Sequence, residues 1–432
     1  MYKRYEKYKA SGVEWIGEIP EHWDVRKLGY VTSVLRGKFT PRPRNDPKYY
    51  DGKYPFIQTG NIISTYKYIE TYDQTLNDLG YEVSKEFPKN TIVMSIAANI
   101  ADVAILSFNA CFPDSIIGFK PYDSLNIDFL FYQLKNLRPH FFKIAIKSTQ
   151  YNLNVDKVKN VVILFPQKQE QKAIAHFLDQ KTALIDHIIS NRRKQIERLK
   201  EARKAVINKA VTKGINKNAK LKPSGIEWLG DIPEHWNQVI IRRVTKEHKQ
   251  GFYSDAGYVE KGFSLIRITD LDKDGNITIE NSPKVHLSDE EQKIFIIKEN
   301  DFLFPRTGSI GLLGLAKNIS NAVFASYLIR FRFNSKINPI YLKYVFLSDF
   351  FISGVKSDLH GGVNQNIHAE DIKNQLITLP NFAEQTAITK FIDHKTAKID
   401  TIITKYEKQI SLLEEYRTSL ISKAVTGQIM VN

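Results

Sequence analysis

Two segments of the sequence carry basic and amide side chains in loops that proline or glycine interrupts. The first, RGKFTPRPR, contains Arg36, Lys38, Arg42 and Arg44, and the second, KEHKQGFYS, contains Lys246, Lys249, Gln250 and Tyr253. Ammonium and guanidinium groups bind phosphate oxygens, and proline stiffens a loop that presents them. We therefore expect both segments to contact a phosphate backbone.

Further polar residues follow two predicted apolar strands, YPFIQTGNI at 54–62 and FSLIRITDL at 263–271. They are Gln58, Thr59 and Asn61 in the first copy, and Arg267, Thr269 and Asp270 in the second. A third set comprises Asn99, Gln150, Tyr151 and Asn152, with Arg306, Ser309, Asn364, Gln365 and Asn366 in corresponding places. Gln and Asn match adenine edges, Arg matches guanine, and Asp accepts from cytosine, so these sets are candidates for base readout. Asn and Gln also cap turns, and a structural role for each set stays open.

The sequence lacks the usual motifs of catalysis. It contains no G-x-x-x-x-G-K-[ST] phosphate loop and no H-E-x-x-H pair among its ten histidines. Its one cysteine, Cys111, excludes an internal disulfide and any cysteine-based zinc site. We therefore predict a binding protein that is not an enzyme, with no catalytic residue, cofactor or metal of its own.

Composition agrees with a polyanionic partner. The 432 residues include 62 Lys and Arg against 47 Asp and Glu, which gives a net charge of +15. Clustered cations gain free energy by releasing counterions from phosphates, although a generally basic surface is the alternative. No apolar stretch is long enough to span a membrane and the start, MYKRYEKYKA, resembles no signal peptide, so we expect a cytoplasmic protein without membrane contact.

The elements that position these residues occur twice. SGVEWIGEIPEHW at 11–23 returns as SGIEWLGDIPEHW at 224–236, with ten of thirteen positions identical. PQKQEQKAIAHFLDQKTALIDHII from Pro166 returns as PNFAEQTAITKFIDHKTAKIDTII from Pro380. Between these repeats the two copies diverge, which favours halves that share a fold and bind different sequences over a duplication that drifted freely.

Each closing repeat predicts a long helix, because apolar residues recur at steps of three, four and seven. Asn381 precedes Glu384 by three residues, a spacing typical of a helix start. A helix of about 45 residues spans roughly 65 Å, far more than one small domain needs. Its apolar stripe requires a partner, and we expect the other copy in an antiparallel coiled coil, with pairing between two molecules as the alternative.

The other repeat, here called the tryptophan motif, holds all four tryptophans: Trp15, Trp23, Trp228 and Trp236. Two indoles around an Ile-Pro turn form a compact plug. The plug could fix each globular segment to the helix ends or dock another protein. We expect His22 and His235, within the motif, to pack or form hydrogen bonds rather than catalyse.

The doubled tryptophan motif and the doubled EQ-x-AI-x-x-F[LI]D-x-KTA-x-ID-x-II helices resemble the specificity subunit of type I restriction-modification systems, over nearly the whole chain. The resemblance implies an α+β fold in which two mixed α/β target-recognition domains are joined by two antiparallel helices, with an internal pseudo-two-fold repeat. The implied order is a first recognition domain at 1–165, a spacer helix at 166–213, a second recognition domain at 214–379 and a second spacer helix at 380–432.

In that family each recognition domain binds one half of a bipartite, asymmetric double-stranded DNA target, and the helices set the gap between the halves. The resemblance further implies docking of two methyltransferase subunits, which bind S-adenosylmethionine and modify adenine, and of motor-nuclease subunits that use ATP and Mg²⁺. One copy of this chain would serve each complex. Two alternatives stay open on the residues alone: a stand-alone DNA-binding regulator, and a coiled-coil scaffold that does not touch DNA.

Overall fold

The computed structural model of the chain describes residues 2–97, 99–147, 151–253, 257–306, 311–358 and 366–431. Contacts divide the chain into two compact units. The first unit comprises Met1–Arg192 and Lys408–Asn432, and the second comprises Arg193–Glu407. Both divisions fall within the long helices, so each unit holds one globular segment and a part of each long helix. The boundaries predicted after residues 165, 213 and 379 follow chain order instead and stay predictions.

The first unit is built mainly from short strands. Its strands are β1 (Tyr8–Ala10), β2 (Glu18–Pro20), β3 (Asp24–Lys27), β4 (Thr32–Arg36), β5 (Tyr50–Pro55), β6 (Tyr68–Ile69), β7 (Thr75–Leu76), β8 (Glu86–Phe87), β9 (Ile92–Ser95), β10 (Val103–Leu106), β11 (Ala110–Cys111), β12 (Ile116–Pro121), β13 (Ile146–Lys147), β14 (Tyr151–Asn152) and β15 (Val162–Phe165). Its helices are α1 (Leu28–Val31), α2 (Thr59–Ile63), α3 (Asp78–Glu82), α4 (Ile127–Asn136), α5 (Arg138–Ile144) and α6 (Val155–Asn160), and α7 (Lys168–Lys213) begins in it.

A five-stranded sheet in the order β4-β12-β9-β10-β6 forms the centre of the first unit. Its neighbouring strands run antiparallel, except that β10 and β6 are parallel. Strands β9 and β10 are buried along their whole length, because apolar side chains occupy both faces. Helix α4 adds Phe129, Leu130 and Phe131 to the same core. The sheet gives a rigid base to the loops that leave β4 and β9.

The second unit repeats this plan with different strand lengths. Its strands are β16 (Leu221–Pro223), β17 (Asp231–Pro233), β18 (Asn237–Ile240), β19 (Thr245–Gln250), β20 (Phe263–Ile266), β21 (Lys284–Val285), β22 (Phe302–Pro305), β23 (Gly314–Leu315), β24 (Ala322–Phe324), β25 (Leu328–Phe333) and β26 (Leu376–Leu379). Its helices are α8 (Ile241–Val244), α9 (Asp289–Phe295), α10 (Pro339–Phe346), α11 (Asp349–Asp358), α12 (Ala369–Lys373) and the start of α13 (Phe382–Val425). An antiparallel sheet, β19-β25-β22-β23, takes the central place, beside a smaller sheet in the order β21-β20-β24.

The long helices α7 and α13 pack against each other inside each unit. In the first unit, Ile185 and Ile189 of α7 share a core with Leu420 and Ala424 of α13, and Arg417 donates to Asp186. In the second unit, Val211 of α7 shares a core with Ile388 of α13, and Arg203 Nε lies 2.9 Å from Asp400 Oδ1. The start of one helix therefore lies beside the end of the other, antiparallel in each unit.

The long helices start where the sequence predicted, but the predicted apolar stripe is buried only in part. The Asn381 side chain accepts from the Glu384 N–H at 2.9 Å, as the predicted cap requires. Two residues of the predicted stripe, Phe391 and Ile402, are exposed. Both were predicted to face the partner helix, and the structure corrects this. Among the helices of the described residues, none combines the length and apolar character that a bilayer crossing requires.

Candidate nucleic-acid interface

One tight turn in each unit organises the predicted polar sets. We call residues 111–116 and 323–328 the central turns. In the first unit the Gly37 N–H donates to Ile116 O at 2.9 Å, and the Lys38 N–H donates to Phe112 O at 3.0 Å. The basic loop that follows β4 is therefore bonded directly to the first central turn.

The other two polar sets of the first unit meet the same turn. The Ile57 N–H, next to Gln58, donates to Cys111 O at 2.8 Å. The Ile96 N–H donates to Ser115 O at 2.9 Å, and Ile96 directly follows β9, three residues before Asn99. Three segments that are far apart in the sequence thus converge on six residues.

The second unit repeats three of these four bonds. Gly251 and Phe252 donate to Leu328 O at 3.0 Å and Phe324 O at 2.7 Å, as Gly37 and Lys38 do in the first unit. The Arg306 N–H donates to Tyr327 O at 2.8 Å, as the Ile96 N–H does to Ser115 O. The fourth bond differs, because Ile266 accepts at its carbonyl oxygen from the Ala325 N–H at 2.9 Å. The two central turns are therefore similar in backbone hydrogen bonding, although they share few side chains.

Glycine is required where the loop crosses each central turn. A Cβ at Gly37 would lie 2.3 Å from Pro113 O, and a Cβ at Gly251 would lie 2.0 Å from Ala325 O. Neither distance is compatible with a side chain, because the obstacle is backbone. Close backbone approach thus holds the candidate loops in place.

The predicted cations of the first unit gather around Asp114 of the central turn. Arg36 Nε donates to Asp114 O at 2.6 Å, and the Asp114 carboxylate lies 2.5 Å from Arg44 and 3.8 Å from Arg42. All three guanidinium groups lie on exposed residues, and Lys38 is exposed beside them. The sequence analysis missed Asp114, although its Pro113-Asp114 dipeptide is a turn signal.

The polar residues predicted to end a strand instead begin short helical turns. Strand β5 ends at Pro55, and α2 begins at Thr59, directly after Gln58. In the second unit β20 ends at Ile266 and a 3₁₀ turn covers Ile268–Asp270. Gln58 and Thr269 are exposed, and Thr59, Asn61 and Arg267 are partly exposed. Asp270 is only 8% exposed and binds Arg267, so its predicted contact with cytosine is corrected to a contact within the chain.

The third polar set is brought together in both units, as far as the chain is described. The Leu153 N–H donates to Ile96 O at 2.9 Å, which places exposed Asn152 beside the segment of exposed Asn99. The equivalent bond joins the Ile367 N–H to Arg306 O at 2.7 Å and places Asn366 there. The described residues do not include Gln150, Ser309, Asn364 and Gln365, and of Tyr151 they include only the backbone.

A groove of about 360 Å³ in the second unit joins two of the predicted sets. Lys249, Gln250 and Arg306 line it together with His248 and His368, which the sequence analysis missed. Partial burial, and then the positive charge of Lys373, lower the pKa of His248. The lowered pKa favours the neutral imidazole, which has one hydrogen-bond donor and one acceptor. The basic sequence KEHKQ, which contains His248, was the signal that could have predicted a role for this histidine. Lys246 and Tyr253 are exposed outside this groove.

The four tryptophans divide into two pairs. Trp23 and Trp236 have 0% exposure and belong to the cores of their units, together with residues of the long helices. Their predicted role in docking a partner is therefore corrected to one in fixing the motif to the helices. Trp15, stacked on His140 at 4.7 Å, is 40% exposed, and Trp228 is 51% exposed. These two are open to a partner.

The histidines of the tryptophan motif form hydrogen bonds, as predicted. His22 Nε2 lies 3.0 Å from Glu170 Oε2, and His235 Nε2 lies 3.0 Å from Glu384 Oε2. Both glutamates belong to the first turn of a long helix. The contact adds a polar link between motif and helix in each unit.

Comparison with known families agrees with this doubled arrangement. The family described as type I restriction modification DNA specificity domain matches residues 20–198 and again residues 254–412. The two matches cover most of the chain. The chain belongs to this family. A specificity subunit recognises DNA sequence for a restriction-modification complex and leaves the catalysis to other subunits.

Curated relatives match over nearly their whole length. The type I restriction enzyme MjaVIII specificity subunit of Methanocaldococcus jannaschii is 26% identical over 429 residues, which are 96% of this chain and 94% of that protein. The EcoKI specificity subunit of Escherichia coli strain K12 is 24% identical over 443 residues, 96% of this chain and 90% of that protein.

The fold also resembles a solved chain from a study titled "Structural basis underlying complex assembly and conformational transition of the type I R-M system". The TM-score is 0.73 at 14% sequence identity, and the match covers 94% of this chain and 98% of that one. This chain therefore shares a two-domain α+β fold with long helices with that solved chain. Within the described part of this specificity subunit, no group of three or more His, Cys, Asp and Glu could hold a metal ion.

Proposed function

We propose that each central turn, with the polar sets around it, binds one half of a bipartite and asymmetric double-stranded DNA target. The observation that carries this proposal is the pair of central turns, which share three backbone hydrogen bonds and differ in their side chains. Arg36, Lys38 and the pair Gln58 and Asn61 serve the first half-site. Gln250, Lys249, Arg267 and Arg306 serve the second. Because the two sets differ in chemistry, the two half-sites differ in sequence.

We propose further that α7 and α13 form a coiled-coil spacer whose length sets the gap between the half-sites. The buried apolar contacts and the Arg–Asp pairs in each unit support a rigid pairing of these helices. The partners in this proposal are two methyltransferase subunits and motor-nuclease subunits, around one copy of this chain in the cytoplasm. S-adenosylmethionine, ATP and Mg²⁺ belong to those partners, which methylate adenine or cut unmodified DNA.

The exposed tryptophans Trp15 and Trp228 support docking of two equivalent partners. They occupy matched positions of the repeated motif, so each unit offers the same aromatic surface once. Exposed indoles are typical anchors of protein interfaces. Each docks one methyltransferase subunit in this proposal.

Methylation mapping tests the recognition proposal. The chain is expressed with its methyltransferase subunit in a host that lacks modification enzymes, and genomic DNA is sequenced for methylated adenine. The methyltransferase subunit alone is the control. We expect one motif with two different halves and a fixed gap, present only with this chain. Two proteins that co-purify without any new methylation would contradict the proposal.

Native mass spectrometry tests the docking proposal. We expect Trp15→Ala and Trp228→Ala each to reduce the complex from two methyltransferase subunits to one, and the double variant to bind none. Tyr30→Ala, which truncates a 76% exposed aromatic residue outside the motif, is the matched control and should keep both subunits. Unchanged masses for both tryptophan variants would contradict the role of these residues.

A further inference from the structure

Two side-chain pairs occupy equivalent places at the central turns, and we call them cap pairs: Gln58 with Asn61, and Arg267 with Asp270. The Gln58 N–H donates to Asn61 Oδ1 at 2.9 Å, and the Arg267 N–H donates to Asp270 Oδ2 at 2.8 Å. In each case the preceding isoleucine is fully buried and bonded to the central turn. The two cap pairs therefore have the same backbone geometry.

In the second unit, the partner residue fixes the orientation of the arginine. Asp270 accepts from Arg267 Nε at 3.2 Å and from Nη2 at 3.1 Å, and Nη2 also donates to Asn281 O at 3.1 Å. Asp270 is buried, whereas the Arg267 side chain is 37% exposed. Nη1 has no hydrogen-bond partner that the structure describes, and it is the donor left for an acceptor outside the chain.

In the first unit, the hydrogen bonds leave both an acceptor and a donor on the Gln58 side chain. Gln58 Nε2 donates to Gln74 Oε1 at 2.5 Å, and Asn61 Nδ2 donates to Asp73 Oδ2 at 3.0 Å. The Gln58 side chain keeps its carbonyl oxygen as an acceptor and the second hydrogen of Nε2 as a donor, on an exposed residue. Arg267 thus offers donors alone, whereas Gln58 offers an acceptor and a donor.

We infer that each cap pair reads one base of its half-site, and that the two pairs select different bases because only Gln58 offers a hydrogen-bond acceptor. Arg267 selects guanine, whose N7 and O6 accept, and Gln58 selects a base with an exocyclic amino group, adenine or cytosine. Asp270 is a positioning residue, because it is buried and bonded to the Arg267 side chain, and Asn61 is one because it bonds the Gln58 backbone. This inference rests on the proposed function, since it names the chemistry that two of its residues recognise.

Exchange of the cap pairs tests the inference. In the complex with the methyltransferase subunit, Gln58→Arg with Asn61→Asp gives the first unit the chemistry of the second. Arg267→Gln with Asp270→Asn makes the reciprocal change. We expect methylation mapping to show guanine gained at one position of the first half-site, and guanine lost at one position of the second. Every other position keeps its base in both variants, and preference at the changed position shifts about tenfold or more.

The single variant Asp270→Asn separates positioning from folding. It keeps the size of the side chain and the Arg267 side chain itself, so we expect base preference to relax at one position of the second half-site while the first half-site stays unchanged. Failure of the wild-type complex to methylate any motif would sink the proposed function itself. Wild-type motifs in both exchange variants would overturn only the inference. So would a general loss of methylation by folded protein with no base exchanged, because it would assign the cap pairs to structure.

Discussion

The Trp236 indole Nε1 donates to Glu384 Oε1 at 3.0 Å, whereas the equivalent Trp23 Nε1 has no partner among the described residues. Glu170, the counterpart of Glu384, instead accepts from the Tyr5 hydroxyl at 2.5 Å. The same motif on the same helix turn therefore uses its glutamate differently in the two units. A buried donor without a partner costs free energy, so the first unit loses stability at Trp23.

This difference predicts unequal effects of one substitution at two positions. Trp236→Phe and Trp23→Phe remove the same volume from a buried site, but only Trp236→Phe removes a hydrogen bond to a carboxylate. We expect Trp236→Phe to lower the free energy of unfolding by about 1 kcal/mol more than Trp23→Phe. Urea unfolding followed by circular dichroism measures both. Equal losses would contradict the hydrogen-bond assignment.

The close approach at the central turn makes Gly37 sensitive to any side chain. We expect Gly37→Ala to lower stability by roughly 2 kcal/mol or more and to abolish recognition of the first half-site, because a Cβ would meet backbone oxygen at 2.3 Å. Gly60→Ala is the control, since a Cβ there meets none of the described heavy atoms within 4 Å. Thermal unfolding and duplex binding are the measurements. A Gly37→Ala variant as stable as Gly60→Ala would contradict the turn geometry.

A partly buried lysine near the end of α4 predicts a pH-dependent gain in stability. Burial, and then the positive charge of Arg417, lower the pKa of Lys135 to about 8. Its unfolded value is about 10.4, so between these values the unfolded chain holds a proton that the folded chain lacks, and stability rises with pH. Below pH 8 both states are charged, and the folded state carries the full cost of burying the charge.

Lys135→Leu removes that cost, and the equivalent position of the second unit, directly after α10, is already a leucine, Leu347. We expect the variant to exceed the wild type in stability by about 1 kcal/mol or more at pH 7. The difference should shrink as the pH approaches 10. Urea unfolding at pH 7, 8.5 and 10 follows the difference between the two proteins. A difference that does not vary with pH would argue against the low pKa.

The cations of the first central turn predict a specific salt dependence of DNA binding. Lys38→Gln should reduce the slope of log affinity against log salt by about one, the share of one phosphate contact. Asp114→Asn should raise affinity, since it frees Arg42 and Arg44 from their carboxylate. Lys9→Gln, an exposed residue of β1, is the matched control with an unchanged slope. The measurement is a salt titration of duplex binding by the complex, and equal slopes for all variants would exclude Lys38 from the interface.

Local signals accounted for the elements that the sequence predicted best. The start of α13 was predictable because Asn381 and Glu384 lie within one turn, and the long helices because their apolar period is regular. The repeat itself identified equivalent residues in the two units. The fold class and the family follow from these same features.

Bonds between distant segments explain what the sequence did not predict. The central turns join residues near positions 37, 57, 96 and 115, and no local pattern reports such pairings. Burial also differs between residues for which the sequence predicted the same role. Trp15 is exposed whereas Trp23 is buried, and Asp270 is buried whereas the Arg267 side chain is partly exposed. Each of these outcomes depends on tertiary packing, which side-chain type alone does not specify.

The first unit combines two segments that are far apart in the chain, and this affects its folding during synthesis on the ribosome. Its core requires residues 408–431, and the Gln133 side chain donates to Val425 O in that segment. The second unit uses one continuous stretch, 193–407. At about 5–20 residues per second, the first unit waits roughly 10–40 s for its last helix segment, with the apolar positions that this segment covers left open. The half of the protein that is translated first is therefore the half that finishes folding last.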